Sequence, residues 1–393
     1  MIMLVVQKFG GTSVASVERI KASCEIVKKT IQLGKKVVVV VSAMSGQTDV
    51  LIAKFKEITS EIMENDILLA EMDSIVSTGE QVCAGLFASY LNVIGIKARS
   101  FTGLQAGILT DNNYTKAQIE MISLAEVKKT MEDGFTPIIT GFQGFSLEEK
   151  RQTTLGRGGS DTSAIAIAAE LDADKCEIYK DVEGVFTGDP TIISNPKKEK
   201  NINFNIMLEI ASSGAKVLEL RSVNFAKKYN VETEVLSSFF ESEGTVISKS
   251  NEITSTKVNE KAVIYNLSYS EKKTFAEIDT TNISKTLELL NEKKIDFQVI
   301  FFENNKLKLL VKNEDANIAS TFLNAKLQKE IAKISIIGVF LKSDKILEKA
   351  LKVLEKQGVQ NLFIDVSESK IIFIIEKSQG KITYSALHDA LIN

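Results

Sequence analysis

Histidine is almost missing from this chain: His388 stands alone in 393 residues. Zinc sites built on histidine and Ser-His-Asp nucleophile chemistry are therefore not the expected chemistries. His388 itself is expected on the surface or on a C-terminal helix. Cysteine is scarce too, with Cys24, Cys83 and Cys176 far apart in sequence. So few give no disulfide framework, and a reducing cytosol is the simplest home. Each reads as a small core residue rather than a nucleophile. No apolar run approaches the roughly 20 residues that cross a bilayer; residues 37–41 are among the longest. The N-terminus lacks the basic start and cleavage site of a secretory leader and reads as a first strand. No sign of charge dominates. A net charge of −3 favours neither nucleic acid nor an acidic membrane surface as a partner.

What is present is ordinary for a soluble globular protein: 44% apolar and 25% charged residues. The length allows two or three domains with a sizeable core. Over residues 1–248, apolar β-branched runs at 2–6, 37–41, 97–101, 136–140, 176–181 and 231–236 are expected as strands. Helical patterns are expected at 14–33, 50–64, 67–91, 115–132, 162–171 and 204–229. This alternation predicts an α/β fold, a mostly parallel sheet covered on both faces in three αβα layers. Ligands in such folds collect outside the carboxyl ends of the strands.

Residues 249–260 are polar and read as a linker. Beyond them, a β-α-β-β pattern occurs twice, predicting paired α+β modules at 261–330 and 331–393, with interleaving as the alternative arrangement. In the first module, strand 263–267 is expected to lead into helix 283–293.

Three polar clusters fall at predicted strand ends. The first is KFGGTS at 8–13. Gly10 and Gly11 let backbone N–H groups approach an anion, and Lys8 adds a mobile positive charge. Alone, the same residues suit a solvated lysine and a tight turn. The second is SAMSGQTD at 42–49, whose Ser42 and Thr48 could bind an anion or simply cap a helix. The third, TTLGRGGSDTS at 153–163, surrounds Arg157 with glycines just before a helix containing Ser160 and Asp161. An arginine fork holds a carboxylate at two points, and a neighbouring Asp holds an ammonium. That combination suits an amino acid. Glu80, in STGEQ at 77–81, is either a second ammonium acceptor or a solvated helix residue. Residues 180–190, KDVEGVFTGDP, read as a nucleotide loop or as a plain Gly-Asp-Pro turn.

With GFQG at 141–144 and GAKVL at 214–218 added, these motifs resemble the aspartate kinase family in order and in rough spacing. The tail resembles the paired ACT modules of that family, and the length resembles its monofunctional members, without a fused homoserine dehydrogenase. The resemblance implies an amino acid kinase fold and transfer of the ATP γ-phosphate to the β-carboxylate of L-aspartate. This step opens the lysine/diaminopimelate, threonine and methionine routes. ATP and Mg²⁺ are implied, with the metal bridging the phosphates and no protein residue assigned to it. By motif, Lys8 and Asp161 are the implied catalytic residues, Lys8 bridging the phosphates. Asp161, with Glu80, meets the α-ammonium. Ser42 and Thr48 orient the β-carboxylate, while Arg157 and Ser160 hold a substrate carboxylate. Gly10, Gly11, Lys180, Asp181, Phe186 and Lys216 line the nucleotide side. A homodimer or higher homo-oligomer through the ACT-like region is also implied.

The chain departs from the family at Lys180, where threonine is usual, at Thr191, where arginine is usual, and at Glu219-Leu220, where His-Pro is usual. Lys180 either supplies replacement charge or pairs with Asp181. The effector turn, KSDKIL at 342–347, lacks the usual proline-glycine pair. Two other readings stay open. One is a kinase for glutamate, N-acetylglutamate or a nucleoside monophosphate, against which Glu80 and the Arg157–Asp161 loop together argue. The other is an amino-acid-binding homologue with weakened catalysis, which the departures favour.

Overall fold

The structure is a computed structural model that describes residues 2–60, 65–215, 217–249, 261–293, 295–313, 315–328, 330–342 and 345–392. The chain divides into two compact units. The first comprises Met1–Val185, Lys198–Ala211 and Lys216–Thr254, and the second Phe186–Lys197, Ser212–Ala215 and Ser255–Asn393.

The first unit is built on an eight-stranded sheet. Its order across the sheet is Asn201–Asn203, Thr245–Ser248, Thr233–Ser237, Lys175–Lys180, Leu4–Phe9, Lys36–Val41, Thr136–Thr140, Ala98–Phe101. All neighbours are parallel except Thr233–Ser237 with Thr245–Ser248. Central parallel strands have two buried faces, which explains the run of five buried valines in Lys36–Val41. Val37, Val39 and Val41 pack with Cys24 and Val27 of helix Val17–Gln32 and Phe87 and Leu91 of helix Thr78–Val93. Helix Gly159–Glu170 packs on strands Leu4–Phe9 and Lys175–Lys180, and is buried from Gly159 to Ala168. A helix buried all round needs apolar or small residues on every side, and Ala164–Ala169 supplies them.

Local boundaries differ from the sequence pattern in instructive ways. The first strand runs to Phe9, so Lys8 lies inside it. The region expected as one helix at 67–91 is two, Asp66–Val76 and Thr78–Val93. Within the span expected as helix 115–132 lies strand Ile119–Ile122, before a short helix Ala125–Glu132. That strand joins a second, four-stranded sheet with Ile108–Thr110, Gln143–Ser146 and Arg151–Thr154.

The second unit holds two four-stranded sheets. One orders Val263–Ser270, Ile331–Val339, Lys370–Glu376 and Asn361–Val366; the other orders Phe297–Glu303, Lys306–Lys312, Lys273–Asp279 and Lys326–Gln328. The strand expected to open the first module thus pairs with the second. Helix Ile283–Glu292 follows Lys273–Asp279 instead. The physical reason lies in Ile331–Val339, buried over eight of its nine residues. So deep a strand needs partners on both edges, and Val263–Ser270 and Lys370–Glu376 provide them. Ile334, Ile336, Ile371 and Phe373 meet Ala350, Leu354, Tyr384 and Leu387 of helices Ile346–Lys356 and Lys377–Ile392. Ile372 and Ile374, one residue out of phase, meet Leu310 and Phe275 of the other sheet.

Phe186–Lys197 belongs with this unit because its polar groups are satisfied there. The Phe186 carbonyl accepts from Asn266 Nδ2 at 2.8 Å, and the Thr187 carbonyl accepts from Leu267 N at 2.8 Å. His388 is on the C-terminal helix but fully buried, not on the surface, with Nε2 2.9 Å from Thr187 Oγ1. The three cysteines are free and buried. Among the described residues no helix is long and apolar enough to cross a membrane.

Candidate active site

Alternation along a strand sends neighbouring side chains to opposite faces. In Leu4–Phe9 this separates Gln7 from Lys8. Gln7 donates to Thr30 Oγ1 on helix Val17–Gln32, at 2.9 Å, and to Glu177 Oε2, at 2.8 Å. Lys8 goes to the other face, where Asp161 waits in the first turn of helix Gly159–Glu170, and Nζ lies 2.5 Å from Oδ1. Lys180 closes the adjacent strand, and its Nζ donates to the other oxygen, Oδ2, at 3.0 Å. One carboxylate therefore carries two ammonium groups. Burial alone would raise the Asp161 carboxyl; Lys180 and Lys8 outweigh it and hold it down to about 2. Burial lowers the Lys8 ammonium, and Asp161 opposes that shift. An excess of positive charge results in a low-dielectric place, which favours an anionic ligand.

These groups line a cavity of about 290 Å³ with Ser42, Phe142, Gly156, Arg157, Gly158, Gly159, Ser160 and Glu219. It lies where the fold class puts ligands, beside the carboxyl ends of Leu4–Phe9, Lys36–Val41 and Lys175–Lys180. Space is tight around the loop. A Cβ on Gly141 would meet the Ser160 side chain at 2.7 Å, and one on Gly158 would meet Glu219 at 2.2 Å.

Glu80 is buried against the residue that follows Ser42. Its Oε1 accepts from Ala43 N at 3.0 Å, while Oε2 is buried with no hydrogen-bond partner among the described residues. Burial pushes this carboxyl up to about 7. Glu80 does not itself line the cavity, and its buried oxygen without a partner leaves this carboxyl unsatisfied.

Of the residues singled out from sequence, Lys8, Ser42, Arg157, Ser160, Asp161 and Lys180 meet at the cavity. Gly10 and Gly11 are close by in sequence but do not line it. Gly10 is followed by a 3₁₀ turn, Gly11–Val14, rather than directly by the long helix. A Cβ on Gly11 would stand 3.2 Å from the Ala43 carbonyl, so this glycine serves a close backbone approach. Thr48 sits in the first turn of helix Gln47–Thr59, and Asp181 is exposed; neither lines the cavity. Phe186 lies in the second unit. Lys216 lies outside the described residues, as do Ser343 and Asp344 of the effector turn. Phe142 and Glu219 line the cavity without having been singled out as site residues. The signal for Phe142 was its place in GFQG; its φ of +69° is a conformation that a bulky residue rarely adopts.

The sequence profile described as the amino acid kinase family matches residues 3–237. Over 399 residues the chain is 41% identical to an aspartokinase of Rickettsia felis, covering 98% of both chains. Over 410 residues it is 38% identical to one of Pseudomonas aeruginosa, covering 98% of this chain and 97% of that one. The chain belongs to the amino acid kinase family and, within it, to the aspartokinases. Among solved structures, Escherichia coli aspartokinase III in complex with aspartate and ADP superposes with a TM-score of 0.84. It is 23% identical, over 99% of this chain and 100% of that one. At that identity the match speaks for the fold: the mixed α/β architecture, with additional antiparallel sheets in the C-terminal region, is that of the aspartokinases. As a member of this family the chain is a kinase.

Proposed function

We propose that this aspartokinase transfers the γ-phosphoryl group of ATP to the β-carboxylate of L-aspartate, giving 4-phospho-L-aspartate and ADP. The phosphate transferred leaves an oxygen of ADP and bonds to a carboxylate oxygen of the acceptor. Such transfer needs positioning and charge neutralisation more than a covalent nucleophile. The acceptor carboxylate is ionised at neutral pH and needs no base, in keeping with a cavity without histidine. The single observation that carries this reading is the pair of ammonium groups on Asp161 at the cavity wall.

In this reading Lys8 neutralises the phosphoryl oxygens as charge develops, and Lys180 adds a second cation on the nucleotide side. Arg157 and Ser160 hold the α-carboxylate, Glu80 the α-ammonium, and Ser42 orients the β-carboxylate, while Asp161, with a lysine on each oxygen, holds Lys8 and Lys180 in place instead of meeting the substrate ammonium. The donor set does not suit a protein-held metal. Asp161 is committed to two lysines, and among the described residues no three acidic, histidine or cysteine side chains cluster. Mg²⁺ therefore enters with the nucleotide, as part of the substrate, and no step is assigned to a protein-bound ion. The product opens the aspartate-derived amino acid routes, and the free buried cysteines suit a reducing compartment such as the cytosol.

An oligomer through the C-terminal region is part of the proposal. Strand Phe297–Glu303 is a sheet edge that leaves Val299 46% and Phe302 40% exposed, a surface that invites pairing. A monomeric mass in solution would count against it.

The deciding experiment supplies ATP, Mg²⁺ and L-aspartate and traps the acyl phosphate with hydroxylamine. Lys8→Ala serves as the blank, and glutamate and N-acetylglutamate as competing acceptors; UMP, whose product is a phosphoanhydride that hydroxylamine does not trap, is tested by ADP release. Hydroxamate from aspartate alone supports the reading. Aspartate binding without hydroxamate would mean a binding protein with lost chemistry.

A further inference from the structure

Arg157 rides on a loop that the chain does little to fix locally. Gly156 and Gly158, on either side of it, have φ of +75° and +70°, and glycines of this kind leave the backbone many alternatives. What fixes the loop is its root, Thr154-Leu155, and the clamp there lies outside the cavity. Asp73, on helix Asp66–Val76, is fully buried. Its Oδ1 accepts from Thr154 Oγ1 at 2.6 Å, and its Oδ2 accepts from Thr154 N at 2.8 Å and Thr115 N at 2.9 Å. From helix Leu220–Tyr229, Arg221 binds the same two segments by their other polarity. Nη1 donates to the Leu155 carbonyl and Nη2 to the Ala117 carbonyl, both at 2.9 Å. Ala117 N donates to the Thr154 carbonyl at 2.9 Å, and Leu155 N to the Phe142 carbonyl at 2.7 Å. Every backbone polar group of Thr154 and Leu155 is thus taken.

We propose that Asp73 is a positioning residue for Arg157, setting the enzyme's affinity for the carboxylate of its acceptor without touching it. The proposal rests on Arg157 being the acceptor's carboxylate ligand, as above. An ionised carboxylate is acceptor-only, and three donors converge on it. An amide at this position could keep the two backbone N–H bonds through its oxygen only by setting its NH₂ against the Thr154 hydroxyl, which then loses its own acceptor; the charge that three donors share is gone and the loop root is held more weakly. Gly156 would feel the change first, since a Cβ there would already lie 2.8 Å from the Thr115 carbonyl.

The test is a double-mutant cycle read by calorimetry of L-aspartate and by steady-state kinetics. Asp73→Asn weakens aspartate binding about tenfold, with kcat changed less than about threefold and the KM for ATP unmoved, because misplacement acts on the acceptor's ligand. Arg157→Ala weakens it about a hundredfold, and adding Asp73→Asn to it costs nothing further. Should Asp73→Asn fail to fold, Thr154→Val carries the same comparison, since it keeps both N–H bonds to the carboxylate and removes only the hydroxyl. An equal loss from the Asp73 or Thr154 substitution in both backgrounds, or an equal rise in the KM for ATP, overturns the proposal while leaving Arg157 in place. If Arg157→Ala alone leaves aspartate binding unchanged, the role of Arg157 fails, and the proposal with it.

Discussion

Lys180 reaches Asp161, not its sequence neighbour Asp181: Nζ donates to Oδ2 at 3.0 Å, the oxygen that Lys8 leaves open. Threonine in this position would leave Lys8 and Asp161 as a balanced pair. Lysine turns them into a site with an excess positive charge, and at 18% side-chain exposure it is only partly solvated. A charge so placed is expected to help a transferring phosphoryl group. Lys180→Ala should lower kcat/KM for ATP by about 10- to 100-fold, with a smaller effect on the KM for aspartate. Steady-state kinetics at varied ATP would check it. Unchanged or raised activity would mean that Lys180 obstructs the cavity instead.

Asp161 and Lys8 should separate stability from catalysis. Lys8→Ala removes one cation and leaves Asp161 paired with Lys180. The fold should hold while the transition state loses about 3–4 kcal/mol. Asp161→Asn leaves two ammonium groups together without a counter-charge, one of them 6% exposed. It should cost about 3–5 kcal/mol of folding stability as well as activity. Denaturant titrations beside hydroxamate assays would show the difference; equal stability of the two variants would argue against the shared-carboxylate geometry.

Much of this site was readable from residue order, because Lys8, Arg157, Ser160 and Asp161 each sit in a short motif at a strand end or helix start. Lys8 was nonetheless expected just after its strand. Gln7 and Lys8 interrupt the apolar pattern, and only their distant partners, Thr30, Glu177 and Asp161, make them tolerable inside a buried sheet. The same limit applies to Val263–Ser270, whose pairing with Ile331–Val339 leaves no local trace. Asp73 gave no signal either, since its partners Thr115 and Thr154 lie 42 and 81 residues away. Long-range pairing is invisible to periodicity, which reports only which face is apolar.

Tyr384 tests the second unit by itself. Its hydroxyl accepts from Asp189 N at 2.7 Å and donates to the Leu267 carbonyl at 2.8 Å, and the ring is fully buried against Tyr269. Tyr384→Phe keeps the ring and orphans both partners, and should cost about 2–3 kcal/mol. Hydrogen exchange resolved by segment should show faster exchange at Asp189, whose N–H loses its acceptor. Unchanged protection there would mean that the hydroxyl contributes little to holding Phe186–Lys197.

Glu80 gives a pH dependence with opposite signs for stability and binding. Burial raises its carboxyl from 4.5 to about 7, so the folded protein holds a proton that the unfolded chain has released. Between those values the native state binds more protons, and stability falls as pH rises. A ligand ammonium needs the ionised form. In the free enzyme kcat/KM for aspartate should therefore climb about tenfold from about pH 6 to about pH 8, where the carboxylate fills. Glu80→Gln should flatten both curves, raising stability at neutral pH while weakening aspartate binding. If the variant keeps the wild-type rise in kcat/KM, the titrating group lies elsewhere, and Glu80 is then only a buried acid held by the Ala43 N–H.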